Sequence, residues 1–162
     1  MKIINKHIKL IAVFLIVLSL VFLFFPCAAY DYYGELSYKV SGFQLIFGLK
    51  ENGYAILSFN IVGLILLILI LLCLVLVLLK NKIGRNALYI ISLLLVICSI
   101  IYIYLPKSAV HVASEVETLF VGLPFLFIGS IYTLASATLL FIIQFINDVN
   151  EKKENENENN IS

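Results

Sequence analysis

Tryptophan is missing from this 162-residue chain, methionine occurs once, cysteine three times, and only 13% of the residues are charged. So little charge could not coat a water-soluble globule of this length, since soluble domains carry about 25%. Cys27, Cys73 and Cys98 are far apart and form no CxxC pair, which excludes a disulfide scaffold and a sequence-local zinc site. They read as small apolar side chains. A net charge of +1 gives no basic face for nucleic acid and no attraction for an acidic substrate. No Gly-rich phosphate loop, Ser/His/Asp or Cys/His set, or paired carboxylates can be recognised. The reading is therefore non-enzymatic, with no cofactor.

What is present is hydrocarbon. Apolar residues make up 62% of the chain, and the mean hydropathy is +1.08. The charges fall in blocks between long stretches that have none. About 20 apolar residues in a helix cross a bilayer core of roughly 30 Å. Four such spans are read, at about 8–28, 54–79, 87–105 and 119–146. They are expected to be helical, because a helix satisfies its own backbone in lipid. The start of the chain also suits a secretory signal, with Lys2, Lys6 and Lys9 before an apolar run and Cys27-Ala28-Ala29 after it. The run from Leu10 to Phe25 exceeds the usual core of about 7–15 residues, however, and Pro26 falls beside the would-be cut. A retained first span is expected.

Lysine and arginine set the orientation. Lys2, Lys6, Lys9, Lys80, Lys82, Arg85, Lys152 and Lys153 lie on one side of the four spans, against Lys39, Lys50 and Lys107 on the other. Both termini are thus expected in the cytoplasm, with the protein in the plasma membrane. Tyr30, Tyr32, Tyr33, Tyr54, Tyr102 and Tyr104 are expected at the outer boundary, where amphipathic rings settle. Residues 1–146 form one transmembrane domain, and 147–162, rich in Asn and Glu, read as a disordered cytoplasmic tail. Heavy use of Ile, Lys and Asn suggests an AT-rich bacterial genome.

Two outer loops, 29–53 and 106–118, carry the exposed mass. In the first, Glu35–Val40 has strand character. The segment from Ser41 to Gly48 is too apolar for a solvated loop and reads as a short interfacial helix. As a helix, Phe43, Ile46 and Phe47 share a face; as a strand, Phe43, Leu45 and Phe47 do. In the second loop, Val110–Val112 and Glu115–Glu117 alternate like a half-buried strand. The two loops together could pair into a small sheet. The fold expected is an all-α membrane protein, an antiparallel four-helix bundle with a small outer cap that has room for a short β-sheet.

With Phe25-Pro26 leaving the first span, Ser41-Gly42-Phe43 and Phe47-Gly48 in the loop, and a shorter second loop, the chain resembles small four-span membrane proteins of Gram-positive bacteria with claudin-like topology. The claudin signature itself needs a Trp and a cysteine pair in the first loop, which this chain lacks, so the resemblance implies topology alone.

Candidate sites are few. No span holds an ionisable residue beyond its terminal turns, whereas proton and ion pathways are built on such residues. Small proton-coupled exporters place a carboxylate in their first span; here that span offers Ser19. Asn60, read as two turns inside the second span, needs a partner, either an interhelical hydrogen bond or a ligand. Gly122, Gly129, Thr133 and Ala137 on the fourth span form a row of small residues that lets helices approach closely, within the bundle or against another membrane protein. Pro124 should start or kink that span, and Tyr132 needs an acceptor. Phe43 and Phe47 are candidates for a partner surface or for a cap over the bundle. His111 with Glu115 and Glu117 reads as a solvated loop. The expected partners are the lipid bilayer and another membrane protein or a second copy. The function read from this is an interaction, accessory or envelope-organising protein; the alternative is a channel or transporter component whose path forms only on oligomerisation.

Overall fold

The computed structural model describes residues 2–32, 35–51, 54–79, 87–109 and 121–159. It is mostly helical, with three helices long and apolar enough to cross a membrane and a shorter apolar helix, His7–Phe22. The first helix, α1 (Lys2–Phe22), ends six residues before the boundary expected at Ala28. Its last turn tightens, with the amides of Leu23, Phe24 and Phe25 each donating three residues back. Pro26 then stops it, having no N–H and pushing the preceding residue out of helical geometry.

The chain turns at once into β1 (Pro26–Tyr32), which pairs antiparallel with β2 (Glu35–Ser41). Ala28 lies opposite Val40 and Ala29 opposite Lys39, with a bulge on either side of this register. On the other edge of β1, Ala28 and Ala29 pair with Gly122 and Val121 of the short strand β5 (Val121–Gly122). The sheet order is thus β2-β1-β5, and the first loop pairs with two residues expected inside the fourth span. The residues of the second loop read as strand-like, Val110–Val112 and Glu115–Glu117, lie outside the described residues. Small side chains suit the central strand, where Cys27, Ala28 and Ala29 are all buried.

Ser41 closes β2 and opens α2 (Gly42–Phe47) with a capping box. Its hydroxyl accepts from the Gln44 amide at 3.3 Å, and the Gln44 side chain accepts from the Ser41 amide at 2.9 Å. Gly48, at φ +89°, ends the helix in a conformation L side chains avoid. A hairpin of β3 (Leu49–Glu51) and β4 (Tyr54–Leu57) follows. The second span therefore does not begin at Tyr54, whose segment is held in this ladder. It begins as α3 (Ile61–Leu78), with Asn60 as its N-cap.

Helix α4 (Ala87–Ser108) carries Pro106 in its final turn, and the helix ends two residues later. Helix α5 (Pro124–Asn159) starts at Pro124 rather than Leu119. Proline suits the first helical position, since its missing amide proton has no partner there anyway. The helix also runs through most of the segment expected to be a disordered tail. Extending an existing helix adds one hydrogen bond per residue fixed, and Glu and Lys are good helix formers, so the charged stretch continues what the apolar stretch nucleated.

The long helices pack in sequence: α1 on α5, α5 on α4 and α4 on α3, with α1 and α3 touching more lightly. Helix α2 fills one end of the bundle between these last two. The Phe43 amide donates to the Leu23 carbonyl and the Asn60 amide to the Ile46 carbonyl. Buried positions alternate at three and four residues: Ala12, Ile16 and Ser19 on α1 with Leu23 just past its end, and Leu66, Ile70, Cys73 and Val77 on α3. On α4 they are Leu88, Ile91, Leu95, Cys98, Tyr102 and Leu105. This three-and-four spacing keeps the buried residues on one face of each helix, the pattern of a heptad seam.

Candidate functional site

Most hydroxyl side chains of the apolar helices lie inside this assembly beside the apolar core, and many large apolar ones lie outside. Ser19, Ser92, Ser99, Ser130, Thr133 and Ser136 are buried, whereas Leu10, Ile61, Ile90, Leu93, Ile131 and Phe145 are exposed. Where α1, α4 and α5 meet, the polar groups form a connected seam. The Tyr102 hydroxyl donates to the Ser19 carbonyl at 3.0 Å, joining α4 to α1. The Ser130 hydroxyl donates to the Ser99 carbonyl at 2.9 Å, joining α5 to α4. Ser19 and Ser99 turn their own hydroxyls back onto Ile16 and Val96, each at 2.7 Å. Thr133 and Ser136 likewise bond back to Ser130 and Thr133. Each of these donors is thus used on a main-chain carbonyl, so the seam couples helices.

The small residues of α5 serve this seam. Gly129 lies under the ring of Tyr102, and Thr133 and Ala137 are buried one and two turns further on. Gly122 does not belong to that row: it is in β5, ahead of the helix. Asn60 is not two turns inside a helix either. It caps α3, its side-chain oxygen accepting from the amides of Val62 and Gly63 at 3.0 and 3.3 Å. Its amide group donates to the Ser108 hydroxyl at the end of α4, at 2.9 Å, which supplies the interhelical partner the sequence required. Ser92 and Thr138 bond to carbonyls of their own helices.

Tyr102 departs most from expectation. It is fully buried in the core rather than at the outer boundary. Its neighbour Tyr104 is exposed, with the Lys107 ammonium 5.4 Å from its ring centre. The sequence signal missed here is the heptad phase: Tyr102 is four residues beyond Cys98 and three before Leu105, whereas Tyr104 is off the seam. Tyr132 is half-buried against Phe22, with ring centres 5.4 Å apart.

At the sheet-bearing end of the bundle, α2 divides the two candidate phenylalanines. Gly42, Leu45 and Ile46 form its buried face. Phe43 is half-buried, its ring centre 4.2 Å from that of Phe24. Phe47 is 52% exposed and stacks on Phe43 at 6.0 Å. At the opposite end, Asp148 of α5 accepts from the Tyr89 hydroxyl at 2.9 Å and from the Gln144 amide at 2.8 Å. Sequence reasoning passed over this trio, whose members lie 59 and four residues from the aspartate.

Among the described residues no group of three His, Cys, Asp or Glu side chains could hold a metal ion, and His111, Glu115 and Glu117 lie outside them. The cysteines are free and buried. No family model, curated protein or solved structure matches the chain.

Proposed function

We propose that the chain is a four-helix integral membrane protein of a bacterial plasma membrane, with both termini cytoplasmic and a folded cap outside. In this reading it acts without enzymatic chemistry, as an accessory or envelope-organising protein that binds another membrane component. One observation carries it: the hydroxyls buried between the apolar helices are bonded to main-chain carbonyls, while the outward faces present mostly hydrocarbon. That arrangement suits a bilayer as solvent, and it puts the polar surface available to a partner in the cap and at the helix ends. The claudin-like topology and the eight-to-three division of Lys and Arg are consistent with it. The packing of α1 against α5, with Tyr102 bonded to Ser19, favours retention of the first span, since its removal would open the core.

Single cysteines placed at Lys82 and Lys50, probed with an impermeant thiol reagent in intact cells, test the orientation. Labelling at Lys50 and protection at Lys82 is the expected result; the reverse overturns it. Function is tested with the purified protein, by its mass in detergent, solute flux in liposomes and co-purification from native membrane. A stoichiometric membrane partner without flux is expected. Flux by the pure protein would replace this reading with that of a channel or transporter component.

A further inference from the structure

Helix α2 bridges α1 and α3 where their outward faces end. On α1 the exposed side chains Leu10, Phe14, Val17 and Val21 recur every three or four residues, a stripe that runs on past the helix to Phe24. On α3, Ile61, Ile65, Ile68, Leu72 and Val75 make a second exposed stripe. The Phe43 amide ties the start of α2 to the Leu23 carbonyl at 3.0 Å, and the Ile46 carbonyl ties its end to the Asn60 amide at 2.9 Å. The Phe24 ring meets Phe43 at 4.2 Å, and Phe43 meets the exposed Phe47 at 6.0 Å. Phe59 and Ile61, on either side of Asn60, are exposed as well. An apolar row thus leads from the end of the first stripe across α2.

We infer that α2 lies in the plane of the outer leaflet, with the Phe47 ring among acyl chains just below their ester groups, so that the cap is seated in the bilayer and does not stand off it. This seat presupposes the membrane reading above and adds a lipid contact made by a segment outside the spans. Depth favours lipid as the occupant. The 18 residues of α3, Ile61–Leu78, rise about 27 Å, close to the roughly 30 Å of a hydrocarbon core. The outer edge of that core therefore falls at the first turn of α3. Gly63 is in this turn, and a methyl group on it would lie 2.7 Å from the Ile46 side chain, so α2 is at the same level. Charge agrees with depth. No charged residue occurs from Ser41 to Leu49, whereas Lys39 of β2 and Lys50 of β3, on either side along the chain, are both exposed. Apolar rings flanked by ammonium groups match acyl chains beneath a layer of phosphates. The row Phe24–Phe43–Phe47 offers no polar group to orient a protein partner, and Ser41 and Gln44 accept from amides of their own capping box.

The chain has no tryptophan, so Phe47→Trp places a single indole at an exposed position. The full chain carrying it is reconstituted in phosphatidylcholine vesicles whose acyl chains are brominated either near the ester or near the methyl end, bromine being a contact quencher of indole. Ile68→Trp, on the outward stripe of α3 two turns into the helix, reports on the hydrocarbon core in the same vesicles. Phe47→Trp is expected to emit at short wavelength and to lose most of its intensity to bromine near the ester and less to bromine near the methyl end. Ile68→Trp should show the reverse order. Quenching of Ile68→Trp alone overturns the seat of α2 and leaves the membrane reading standing. Long-wavelength emission from Phe47→Trp would then put α2 in water, and short-wavelength emission untouched by bromine would put a second copy of the chain over it. Stronger quenching of Phe47→Trp by the methyl-end bromine would overturn its place at the interface. No quenching at either position overturns the membrane reading itself, and the seat with it.

Discussion

Tyr102 and Gly129 approach so closely that a methyl group on the glycine would lie 2.5 Å from the ring and the hydroxyl oxygen of the tyrosine. The tyrosine crosses α5 only because that position has no side chain, and it then reaches the Ser19 carbonyl on α1. Three helices are fixed by this one crossing. Gly129→Ala should destabilise the protein by about 1–3 kcal/mol through overpacking. Tyr102→Phe keeps the ring and loses the hydrogen bond, at a cost of about 1 kcal/mol. The two positions should couple: in a Tyr102→Leu background, Gly129→Ala should cost much less than it does alone. Unfolding in mixed micelles measures all four corners of the cycle, and strict additivity would show that the crossing is not what the glycine serves.

Asn60 joins the start of α3 to the end of α4 through a cap and a cross-helix bond. Asn60→Ala removes both and should cost about 1–2 kcal/mol from the cap alone. Asn60→Asp keeps an oxygen for the Val62 and Gly63 amides but loses the donor to Ser108, so its loss should be smaller. Ser108→Ala should match Asn60→Asp more closely than Asn60→Ala. Thermal unfolding of the three variants gives the ranking, and an equal loss in Asp and Ala variants would assign the whole effect to Ser108.

The presence of long apolar helices could be read from the sequence because hydropathy is a sum over a window and needs no partner. Their faces could not. In α3 nearly every residue is apolar, so nothing in its composition separates the buried Leu66, Ile70, Cys73 and Val77 from the exposed Ile65, Ile68 and Leu72. Where a hydroxyl or a glycine interrupts the hydrocarbon the interior does show, and the row on α5 was readable for that reason. Gly122 joined it wrongly because spacing alone does not say where a helix starts; Pro124 does. The helix ends were misplaced at Ala28 and Tyr54 for a related cause. Small and aromatic apolar residues raise hydropathy equally in a lipid-spanning helix and in a buried strand, and only pairing with Val40 or Glu51 distinguishes the two. Tyr102 and Ser19 are 83 residues apart, and no local pattern announces their contact.

Cys27 lies fully buried in the central strand of the cap, and that burial pushes its thiol up from the ordinary 9.0 to about 11. The native state therefore holds this proton at pH values where the unfolded chain has released it. The contribution to stability is complete below about pH 9 and is lost as pH rises through about 11. The unfolding free energy of Cys27→Ala should fall less steeply than that of the parent between about pH 8 and pH 10.5. Parallel slopes would show that the thiol is not protected. A water-soluble maleimide should likewise label Cys27 slowly at neutral pH, since the thiolate is the nucleophile.

The two phenylalanines of α2 should separate in the same kind of test. Read as a pair, Phe43 and Phe47 form one face that either caps the bundle or binds a partner. The structure turns Gly42, Leu45 and Ile46 inward instead, with Gly63 of α3 so close beneath Ile46 that a methyl group on it would lie 2.7 Å from the isoleucine side chain. The anchor of the cap is therefore Ile46, and Ile46→Ala should cost about 2–5 kcal/mol. Phe43, half-buried against Phe24, should lose an intermediate amount on replacement by Ser. Phe47→Ser removes a ring that is already more than half exposed, and should leave the melting temperature nearly unchanged. If that ring and its neighbour Phe24, which is 68% exposed, form a surface for another membrane protein, Phe47→Ser will abolish co-purification while folding stays intact. A melting temperature lowered as far by Phe47→Ser as by Ile46→Ala would place Phe47 in the cap and remove it from any partner surface.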